Sequence, residues 1–253
     1  MNRRFTDMVA LVTGSGSGIG RHVALALARE GAAVVVAGRR HDRVAETVAM
    51  IEKEGGDALA IATDVTDSAS VAAMVARTVE HYGGLHVAVN NAGVLTATGP
   101  VGDVDPGEWE TMLATNLTGM LLSLQHEIAH MRSNGGGTIV NIASNVGAST
   151  TVPGIGAYGA TKAAVSALTR AAALDHIREG VRINAVSPGV SDTPMSLLPG
   201  ETDADRAQRL REQSPIGRVG SLDEIAAGVL YLASAESGYA VGTDLLLDGG
   251  AAA

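Results

Sequence analysis

The sequence predicts an α/β fold, in which helices cover both faces of a doubly wound parallel sheet of about seven strands. Three observations support this prediction: short apolar segments alternate with longer amphipathic ones, the short segments are almost continuously apolar, and a glycine-rich loop follows the first of them. Strands that are covered on both faces show such continuous apolar runs. Hydrophobic residues make up 46% of the 253 residues, which is enough for a large core, although only 2% are aromatic.

The strands and helices are expected in alternation through most of the chain. The predicted strands are 9–12, 33–37, 58–62, 87–89, 138–142 and 182–186, with 245–247 as a candidate seventh. The predicted helices are 19–30, 41–54, 68–82, 107–131, 157–179 and 222–234. This alternation is typical of βαβ units, in which each helix returns the chain to the same edge of a parallel sheet.

The segment 190–213 interrupts the alternation. It begins with prolines and glycines and continues with many charged residues, so we expect a loop followed by a polar, mobile helix. A long insertion before the last helix is typical of a lid over a binding site. No linker or composition shift divides the chain, and residues 1–253 are therefore expected to form one domain.

Charge and cysteine content exclude several classes of function. The net charge of −9 disfavours binding to nucleic acid or to anionic membranes. The longest uncharged stretch, 133–161, contains several asparagines and Pro153, which a membrane-spanning helix would not tolerate. The absence of cysteine excludes disulfides, thiolate catalysis and cysteine-based zinc sites, and it favours a cytoplasmic location.

A metal site is not expected from the histidines either. His126 and His130 are four residues apart and share a helix face, but a zinc site would need a further ligand.

A glycine-rich loop, Thr13-Gly14-Ser15-Gly16-Ser17-Gly18-Ile19-Gly20, joins the first strand to the first helix. Glycine permits the tight turn and lets the backbone approach a pyrophosphate, and the helix N-terminus presents free N–H groups to the phosphates. An ordinary tight turn is the alternative interpretation. No lysine follows the last glycine, so the loop is not a P-loop of the NTPase type.

The end of the second strand bears on the choice of cofactor. An acidic residue there would bind the adenosine ribose hydroxyls of NAD, but none occurs between Glu30 and Asp42. Arg39 and Arg40 instead offer donors suited to a 2′-phosphate. We therefore expect NADP to be favoured over NAD, the alternative being that both arginines are solvated surface residues.

Tyr158 and Lys162 are four residues apart and therefore share one face of a helix. An ammonium group beside a phenol stabilises the phenolate, and lowering the pKa of tyrosine by about 3 units requires about 4 kcal/mol of such stabilisation. The spacing by itself is weak evidence, because unrelated surface pairs share it.

The order of motifs along the chain is more specific. The glycine-rich loop, Asn90-Asn91-Ala92-Gly93, Ser144 and Tyr158-Gly159-Ala160-Thr161-Lys162 occur in this order. Further along are Asn184-Ala185-Val186-Ser187-Pro188-Gly189, Gly217-Arg218-Val219-Gly220 and Asp248-Gly249-Gly250. This set, which covers nearly the whole chain, resembles the short-chain dehydrogenase/reductase family. The resemblance implies a single NAD(P)-binding Rossmann domain.

The resemblance also implies the catalytic residues. Tyr158 would be the general acid/base, and Lys162 would lower its pKa and hold the nicotinamide ribose. Ser144 would bind the reacting oxygen of the substrate, and Asn116 would position a water molecule beside Lys162 for proton relay. Asp248, followed by two glycines, is expected to form a structural turn instead.

The cofactor contacts that the resemblance implies are distributed along the whole chain. They are Gly14, Ser15, Ser17, Gly18, Ile19, Gly20, Arg39, Arg40, Asp64, Val65, Asn90, Ala92, Gly93, Tyr158, Lys162, Pro188, Gly189 and Thr193. Asp64 would contact the adenine, Asn90 and Gly93 would line the adenosine side, and the last three residues would contact the nicotinamide end.

Two features depart from the family pattern. The fourteen-residue gap from Ser144 to Tyr158 is one residue longer than the pattern, so segment 149–151 is expected to bulge, and Ser149 is the alternative to Ser144. Ser17 stands where NADP-binding relatives carry a basic residue, so only Arg39 and Arg40 support NADP.

The expected activity is interconversion of a secondary alcohol and a ketone. The alternatives are a 3-oxoacyl-[acyl-carrier-protein] reductase, which the net charge disfavours unless Arg132 and Arg170 form a local basic patch, and a non-catalytic dinucleotide sensor. The residues expected to line the substrate pocket are mostly apolar, namely Asn145, Val146, Val152, Val190, Met195, Leu197 and Leu198. By resemblance, the helices at 107–131 and 157–179 would pair between subunits of a homotetramer, with a homodimer as the alternative.

Overall fold

The computed structural model describes residues 3–197 and 200–253 and contains one sheet of seven parallel strands. The strands are β1 (Val9–Thr13), β2 (Ala33–Gly38), β3 (Ala58–Ala62), β4 (Val87–Asn90), β5 (Gly137–Ile142), β6 (Val181–Pro188) and β7 (Asp244–Leu247). Their order across the sheet is β3-β2-β1-β4-β5-β6-β7. The seven predicted strands and the parallel, doubly wound sheet are therefore confirmed.

The helices cover both faces of this sheet. They are α1 (Gly18–Arg29), α2 (His41–Lys53), α3 (Ser68–Tyr82), α4 (Pro106–Leu113), α5 (Gly119–Ser133), α6 (Asn145–Ala148), α7 (Gly156–His176), α8 (Asp203–Gln213) and α9 (Leu222–Ala233). Among the described residues, no helix has the length and apolar character needed to cross a membrane.

Two hydrophobic layers form the core, one on each face of the sheet. Side chains of α1, α2 and α9 pack on one face, and side chains of α3, α5 and α7 pack on the other. Along β1, Val12 faces the first layer and Leu11 the second. Burying each aliphatic side chain contributes about 1.5–3 kcal/mol, which explains why the central strands have apolar residues at nearly every position.

The order of the strands locates a cleft. β1 lies between β2 and β4, so the chain leaves β1 toward one side of the sheet and leaves β4 toward the other. A crevice opens at such a switch point, beyond the carboxyl ends of the strands. The glycine-rich loop follows β1 directly, and it therefore lies in this crevice.

The prediction of one continuous helix over 107–131 is wrong. The structure has α4, a π-helical turn at Ala114–Thr118, and then α5. Two contacts explain the interruption: the side chain of Asn116 turns inward to bind the backbone of Val94, and Gly119 packs so closely on Val65 that a Cβ there would lie 2.8 Å from the valine Cγ2. Such π turns occur frequently at functional sites.

The segment 190–213 contains a loop and then the polar helix α8, as predicted. Thr202 caps this helix through a reciprocal capping box with Asp205. Arg206 joins it to the loop, because its guanidinium binds Asp192 at 2.6 Å and Asp203 at 3.0 Å. Residues 198 and 199 of this segment lie outside the described residues.

Candidate active site

The glycine-rich loop adopts the conformation that a dinucleotide site requires. Gly14 and Gly18 have φ of +65° and +54°, which favours glycine. A Cβ at Gly14 would lie 2.8 Å from the Cα of Ala92, so a larger residue would displace the loop after β4. The start of α1 beyond this loop presents its free N–H groups toward the crevice.

A hydrogen-bonded clamp joins this loop to the end of β4. The side-chain amide of Asn91 donates to the carbonyl oxygens of Thr13 and Gly14 at 3.0 and 3.1 Å. The hydroxyl of Thr13 accepts from the backbone N–H groups of Asn91 and Ala92. The sequence analysis missed the role of the Asn91 side chain, because its partners are nearly eighty residues away.

A cleft of about 590 Å³ lies along the loop. Of the predicted cofactor residues, it is lined by Gly14, Ser17, Arg39, Arg40, Asp64, Val65, Ala92 and Gly93. These residues come from four different strand ends, so the structure brings together most of the predicted adenosine and pyrophosphate contacts. The cleft is also lined by Arg43, which the sequence analysis did not single out.

The three arginines of the cleft differ in their partners. Arg43 lies near Asp42 at 3.9 Å and Glu46 at 3.4 Å. Among the described residues, neither Arg39 nor Arg40 forms an ion pair or a side-chain hydrogen bond, and both are exposed. Their guanidinium groups are therefore available to an anion that enters the cleft.

Asp64 lines the same cleft, where the charge of Arg39 acts on its carboxylate. Its carboxylate accepts from the backbone N–H of Thr66 at 3.0 Å and from the Thr66 hydroxyl at 2.8 Å. The backbone bond, followed by the hydroxyl bond, lowers the pKa of Asp64. The carboxylate is therefore ionised at neutral pH and keeps acceptor capacity toward the cleft.

Two predicted cofactor residues have side chains that point elsewhere. The hydroxyl of Ser15 is fully buried and donates to the carbonyl oxygen of Val12 at 2.7 Å. The side chain of Asn90 turns into the interior, where it donates to Glu127 and Asn141. If Asn90 lines the adenosine side, as predicted, it does so through its backbone, because its side chain is engaged in the interior.

Ser144 and Tyr158 meet at the carboxyl edge of the sheet. Ser144 follows β5 and Tyr158 lies in the first turn of α7. The hydroxyl of Ser144 accepts from the backbone N–H of Val146 at 3.2 Å and lies close enough to the phenol of Tyr158 to act against the effect of burial on its pKa. Burial dominates and raises the pKa of Tyr158.

The longer connection between these two residues forms a closed turn, as predicted. Gly147 adopts φ of +129°, its N–H donates to the carbonyl oxygen of Thr150 at 2.8 Å, and Val146 and Thr150 form a bridge. This turn takes up the additional residue of the gap. It leaves Ser149 exposed, whereas Ser144 is buried beside Tyr158.

Lys162 lies beneath the tyrosine. Its Nζ donates to the carbonyl oxygen of Ile142 at 2.8 Å and lies 5.8 Å from the centre of the Tyr158 ring. Burial lowers the pKa of Lys162 to about 8. Burial dominates the pKa of the phenol in the free protein, and the expectation that Lys162 lowers the pKa of Tyr158 stays a prediction.

Asn116 completes the cluster from the π turn. Its amide binds the backbone N–H and carbonyl of Val94 at 2.8 and 2.9 Å, and it donates to the hydroxyl of Thr161 at 3.2 Å. A Cβ at Gly93 would lie 3.4 Å from Oδ1 of Asn116 and 3.5 Å from Nζ of Lys162. The cleft therefore reaches the lysine through Gly93.

The predicted nicotinamide contacts lie at the end of β6. A Cβ at Gly189 would lie 2.7 Å from the Cα of Asp248, so the chain passes tightly against the turn after β7. That turn is structural, as predicted: Asp248 accepts from the N–H of Gly250 at 3.0 Å. The methyl group of Thr193 would lie 3.5 Å from a Cβ at Gly18, so the loop after β6 reaches the glycine-rich loop.

A second cavity of about 560 Å³ lies beyond Ser144. Of the residues expected to line a substrate pocket, Asn145, Val146, Val152 and Val190 line this cavity. Met195 and Leu197 are not among its described lining residues, and Leu198 lies outside the described residues. Arg209, Arg218, Glu224 and Asp248 also line the cavity, so its wall combines valines with charged side chains.

Comparison with known proteins identifies the family. A family model described as Enoyl-(Acyl carrier protein) reductase matches residues 14–252. Cis-4-hydroxycyclohexanecarboxylate dehydrogenase of Sinomonas cyclohexanicum is 39% identical over 251 residues, covering 99% of this chain and 98% of that protein. A short-chain type dehydrogenase/reductase from Mycobacterium marinum superposes with a TM-score of 0.92 at 36% identity, covering 99% and 97%. The chain belongs to the short-chain dehydrogenase/reductase family.

A further solved structure of this family contains a cofactor. Gluconate 5-dehydrogenase from Burkholderia cenocepacia, in complex with NADP and tartrate, superposes with a TM-score of 0.91 at 34% identity, covering 99% of this chain and 97% of that one. The protein is thus an NAD(P)-dependent oxidoreductase of the alcohol/ketone class, and the predicted family, fold and reaction class are confirmed.

Proposed function

We propose that this protein is an NADP-dependent oxidoreductase that interconverts a small, largely apolar cyclic secondary alcohol and its ketone. The observation that carries the proposal is the position of Tyr158, which has the hydroxyl of Ser144 beside its phenol and Nζ of Lys162 5.8 Å from the centre of its ring. The pair lies between Gly93, which lines the cleft, and Asn145, which lines the second cavity. A dinucleotide in the cleft and a small molecule in the cavity would both adjoin Tyr158.

The residues divide the proton chemistry among them. In the reducing direction, the phenol of Tyr158 gives its proton to the substrate oxygen while the hydroxyl of Ser144 donates a hydrogen bond to the same oxygen. The ammonium of Lys162 stabilises the phenolate that remains. Asn116 holds the π turn beside Lys162, from where a proton can return through water. The nicotinamide, when bound, supplies the hydride to the carbonyl carbon or accepts it in the reverse direction.

The residues of the cleft fit a dinucleotide. The close approach of Gly14 to Ala92 leaves a cradle that a Cβ would fill, and it lies at the N-terminus of α1, where phosphates bind favourably. Arg39 and Arg40 lie at the adenosine end without ion-pair partners among the described residues. Two guanidinium groups at that position support NADP over NAD.

Thermal unfolding with each cofactor tests this preference. A cofactor at about 100 times its dissociation constant stabilises the protein by about 2.7 kcal/mol. We expect NADP⁺ to raise Tm at concentrations where NAD⁺ has no effect. Stabilisation by NAD⁺ alone would show that both arginines are surface residues, and no shift with either would contradict a dinucleotide site.

The positions of Arg132 and Arg170 favour a free substrate over one attached to a carrier protein. Arg132 lies in the last turn of α5 and Arg170 packs beside Gly242, so both lie near the amino ends of the strands. Tyr158 lies at the carboxyl ends, on the opposite edge of the sheet. The two arginines therefore cannot guide an acidic carrier protein to the site.

The second candidate function is reduction of a substrate attached to acyl carrier protein, because the matching family model is described as an enoyl-(acyl carrier protein) reductase. Turnover with NADPH separates the candidates: we expect cyclohexanone-type ketones to be reduced faster than acetoacetyl or crotonyl thioesters of acyl carrier protein. Higher kcat/KM for either thioester would contradict the proposed substrate class. A dinucleotide sensor would turn over neither.

The face formed by α5 and α7 supports a homotetramer. A groove between these helices is lined by Leu121, Leu124, Ile128 and Leu168, among others, and Leu121 and Leu174 are 41% and 74% exposed. Exposed leucines on adjacent helices favour burial against a second copy of the chain. We further propose a cytoplasmic location, which the absence of cysteine supports.

A further inference from the structure

Glu127 on α5 is an acidic residue in the interior of the protein. Its side chain is completely buried, and it has no ion-pair partner among the described residues. Oε2 accepts from Nδ2 of Asn90 at 2.8 Å, but Oε1 has no hydrogen-bond partner. Oδ1 of Asn90 also lacks a partner. Two acceptor atoms of one hydrogen-bonded pair are thus both without a donor.

The surrounding hydrogen bonds fix the orientation of the amide groups. Nδ2 of Asn90 also donates to Oδ1 of Asn141 at 3.1 Å, and Nδ2 of Asn141 donates to the hydroxyl of Thr169 at 2.9 Å. Rotating the Asn90 amide would place its oxygen against two other acceptors. Every donor of this network therefore points away from Oδ1 of Asn90 and from Oε1 of Glu127.

One proton on Glu127 satisfies both atoms. A carboxylic acid O–H at Oε1 can donate to Oδ1 of Asn90 while Nδ2 of Asn90 donates to Oε2, which gives a cyclic acid–amide pair. Buried polar atoms are rarely left without partners, and a buried ion without a counter-ion is still less favourable. Burial also raises the pKa of Glu127 to about 7, against the opposing effect of the Asn90 bond.

We propose that Glu127 is a positioning residue of the cofactor site, which holds the end of β4 in place through a neutral acid–amide pair with Asn90. The residues that follow Asn90 explain why its position matters: Asn91 clamps the glycine-rich loop, and Ala92 and Gly93 line the cleft. The proposal rests on the proposed function in that the cleft binds a dinucleotide.

No charged neighbour accounts for the protonation. The titratable groups on the elements around Glu127 are His126, His130 and Arg132 on α5, Arg77, Glu80 and His81 on α3, His86 before β4, Lys162, Arg170 and Asp175 on α7, and Arg182 on β6. None of them contributes to the shift in the pKa of Glu127, which has burial as its largest cause.

The variant E127Q tests the pair. A glutamine amide can donate to Oδ1 of Asn90 and accept from its Nδ2, and it stays neutral at every pH. Because the folded-state pKa of Glu127 is raised from 4.5 to about 7, the folded wild type binds more protons than the unfolded chain between these values. Its Tm should therefore fall relative to that of E127Q from about pH 5 to about pH 7 and then stay parallel to it.

Cofactor affinity gives the second measurement. We expect the ratio of the wild-type Kd for NADP⁺ to that of E127Q to rise several-fold between about pH 6 and about pH 8.5. The apolar variant E127M, which removes the carboxyl group from Asn90 and leaves only its bond to Asn141, should bind NADP⁺ weakly at all pH values. A Kd ratio that is independent of pH would overturn the positioning role.

Two results separate failure of this inference from failure of the proposed function. The Tm comparison needs no cofactor, and a pH-independent difference between wild type and E127Q would overturn the neutral pair even if NADP⁺ binds. Infrared spectra of the wild type provide a test without any variant: a buried carboxylic-acid carbonyl band near pH 6 that disappears by about pH 8.5 is expected. If the band and the Tm difference are found but no dinucleotide binds, the proposed function fails, and with it the link to the cofactor.

Discussion

The polar side chains at the active site are held by partners that come from distant parts of the chain. Asn116 is fixed by Val94 and Thr161, and Lys162 is fixed by the carbonyl oxygen of Ile142. The hydroxyl groups of Ser144 and Tyr158 lie close to each other. Of this set, the two hydroxyls are thus best placed to bind the same substrate oxygen.

Arg39 and Arg40 should determine the choice of cofactor. The double variant R39A/R40A removes hydrogen bonds from charged donors, each of which contributes about 1.5–3 kcal/mol. We expect Kd for NADP⁺ to rise about 10- to 100-fold while Kd for NAD⁺ stays nearly constant. Titration of both cofactors by fluorescence checks this result. R77A, which removes an exposed arginine on α3, is the matched control.

The buried charge of Lys162 should lower the free energy of unfolding of the protein. Its pKa falls from 10.5 to about 8 on burial, so below about pH 8 the folded state holds a buried charge at a cost of about 3 kcal/mol. The variant K162M has no buried charge, but it also lacks the hydrogen bond to the carbonyl oxygen of Ile142. We therefore expect K162M to be inactive, and its free energy of unfolding at neutral pH to be about 1–2 kcal/mol higher than that of the wild type.

The sign of this effect can be checked by the pH dependence. Between about pH 8 and pH 10.5 the unfolded chain binds more protons than the folded wild type, so the wild type gains stability and the advantage of K162M shrinks. Denaturation of the free protein at several pH values measures this trend. K53M, at an exposed lysine, should show neither effect.

At the scale of elements, the π turn that carries Asn116 is the feature of the site that the sequence pattern did not predict. The apolar pattern of 107–131 continues on both sides of Ala114–Thr118, so periodicity predicts one helix. The interruption depends on Val94, Thr161 and Val65, which no local pattern can reveal. The strands and the helices α1, α2, α3, α7 and α9 were predictable because each has its own local apolar pattern, whereas the short helix α6 was not predicted.

Gly119, at the start of α5, should be essential for this element. A Cβ there would lie 2.8 Å from Cγ2 of Val65 and 3.1 Å from its carbonyl oxygen, so G119A pushes the start of α5 and the adjoining π turn away from Val65. We expect a loss of about 1–3 kcal/mol in stability and a fall in kcat through displacement of Asn116. Urea denaturation and steady-state kinetics measure both. G102A, where no atom lies within 4 Å of the added methyl, should be neutral.

At the scale of the molecule, the parallel sheet collects the functional residues on one edge. The carboxyl ends of β1, β2, β4, β5 and β6 carry the glycine-rich loop, the arginines, the Asn91 clamp, Ser144 and Gly189. Their order in the sequence sufficed to predict this assembly. The inward side chain of Asn90 and the burial of Glu127 were not predictable, because they depend on how α5 packs against β4 and β5.

The proposed tetramer makes a prediction at the same scale. Leu174 is 74% exposed on α7, and burial in a subunit interface would explain an apolar residue there. L174K should convert a mass of four chains to one or two chains in light scattering. Val101 is exposed to a similar extent outside this face, so V101K should leave the mass unchanged. A wild-type monomer would contradict the proposed assembly.

The most direct test of the account is the reduction of a cyclic ketone by NADPH with Y158F. The variant removes one hydroxyl, and we expect kcat to fall about 10³-fold while the Kd for NADP⁺ changes less than about twofold. Y239F, which removes a fully exposed phenol, is the control and should keep wild-type turnover. Wild-type turnover by Y158F would contradict the assignment of Tyr158 as the proton donor.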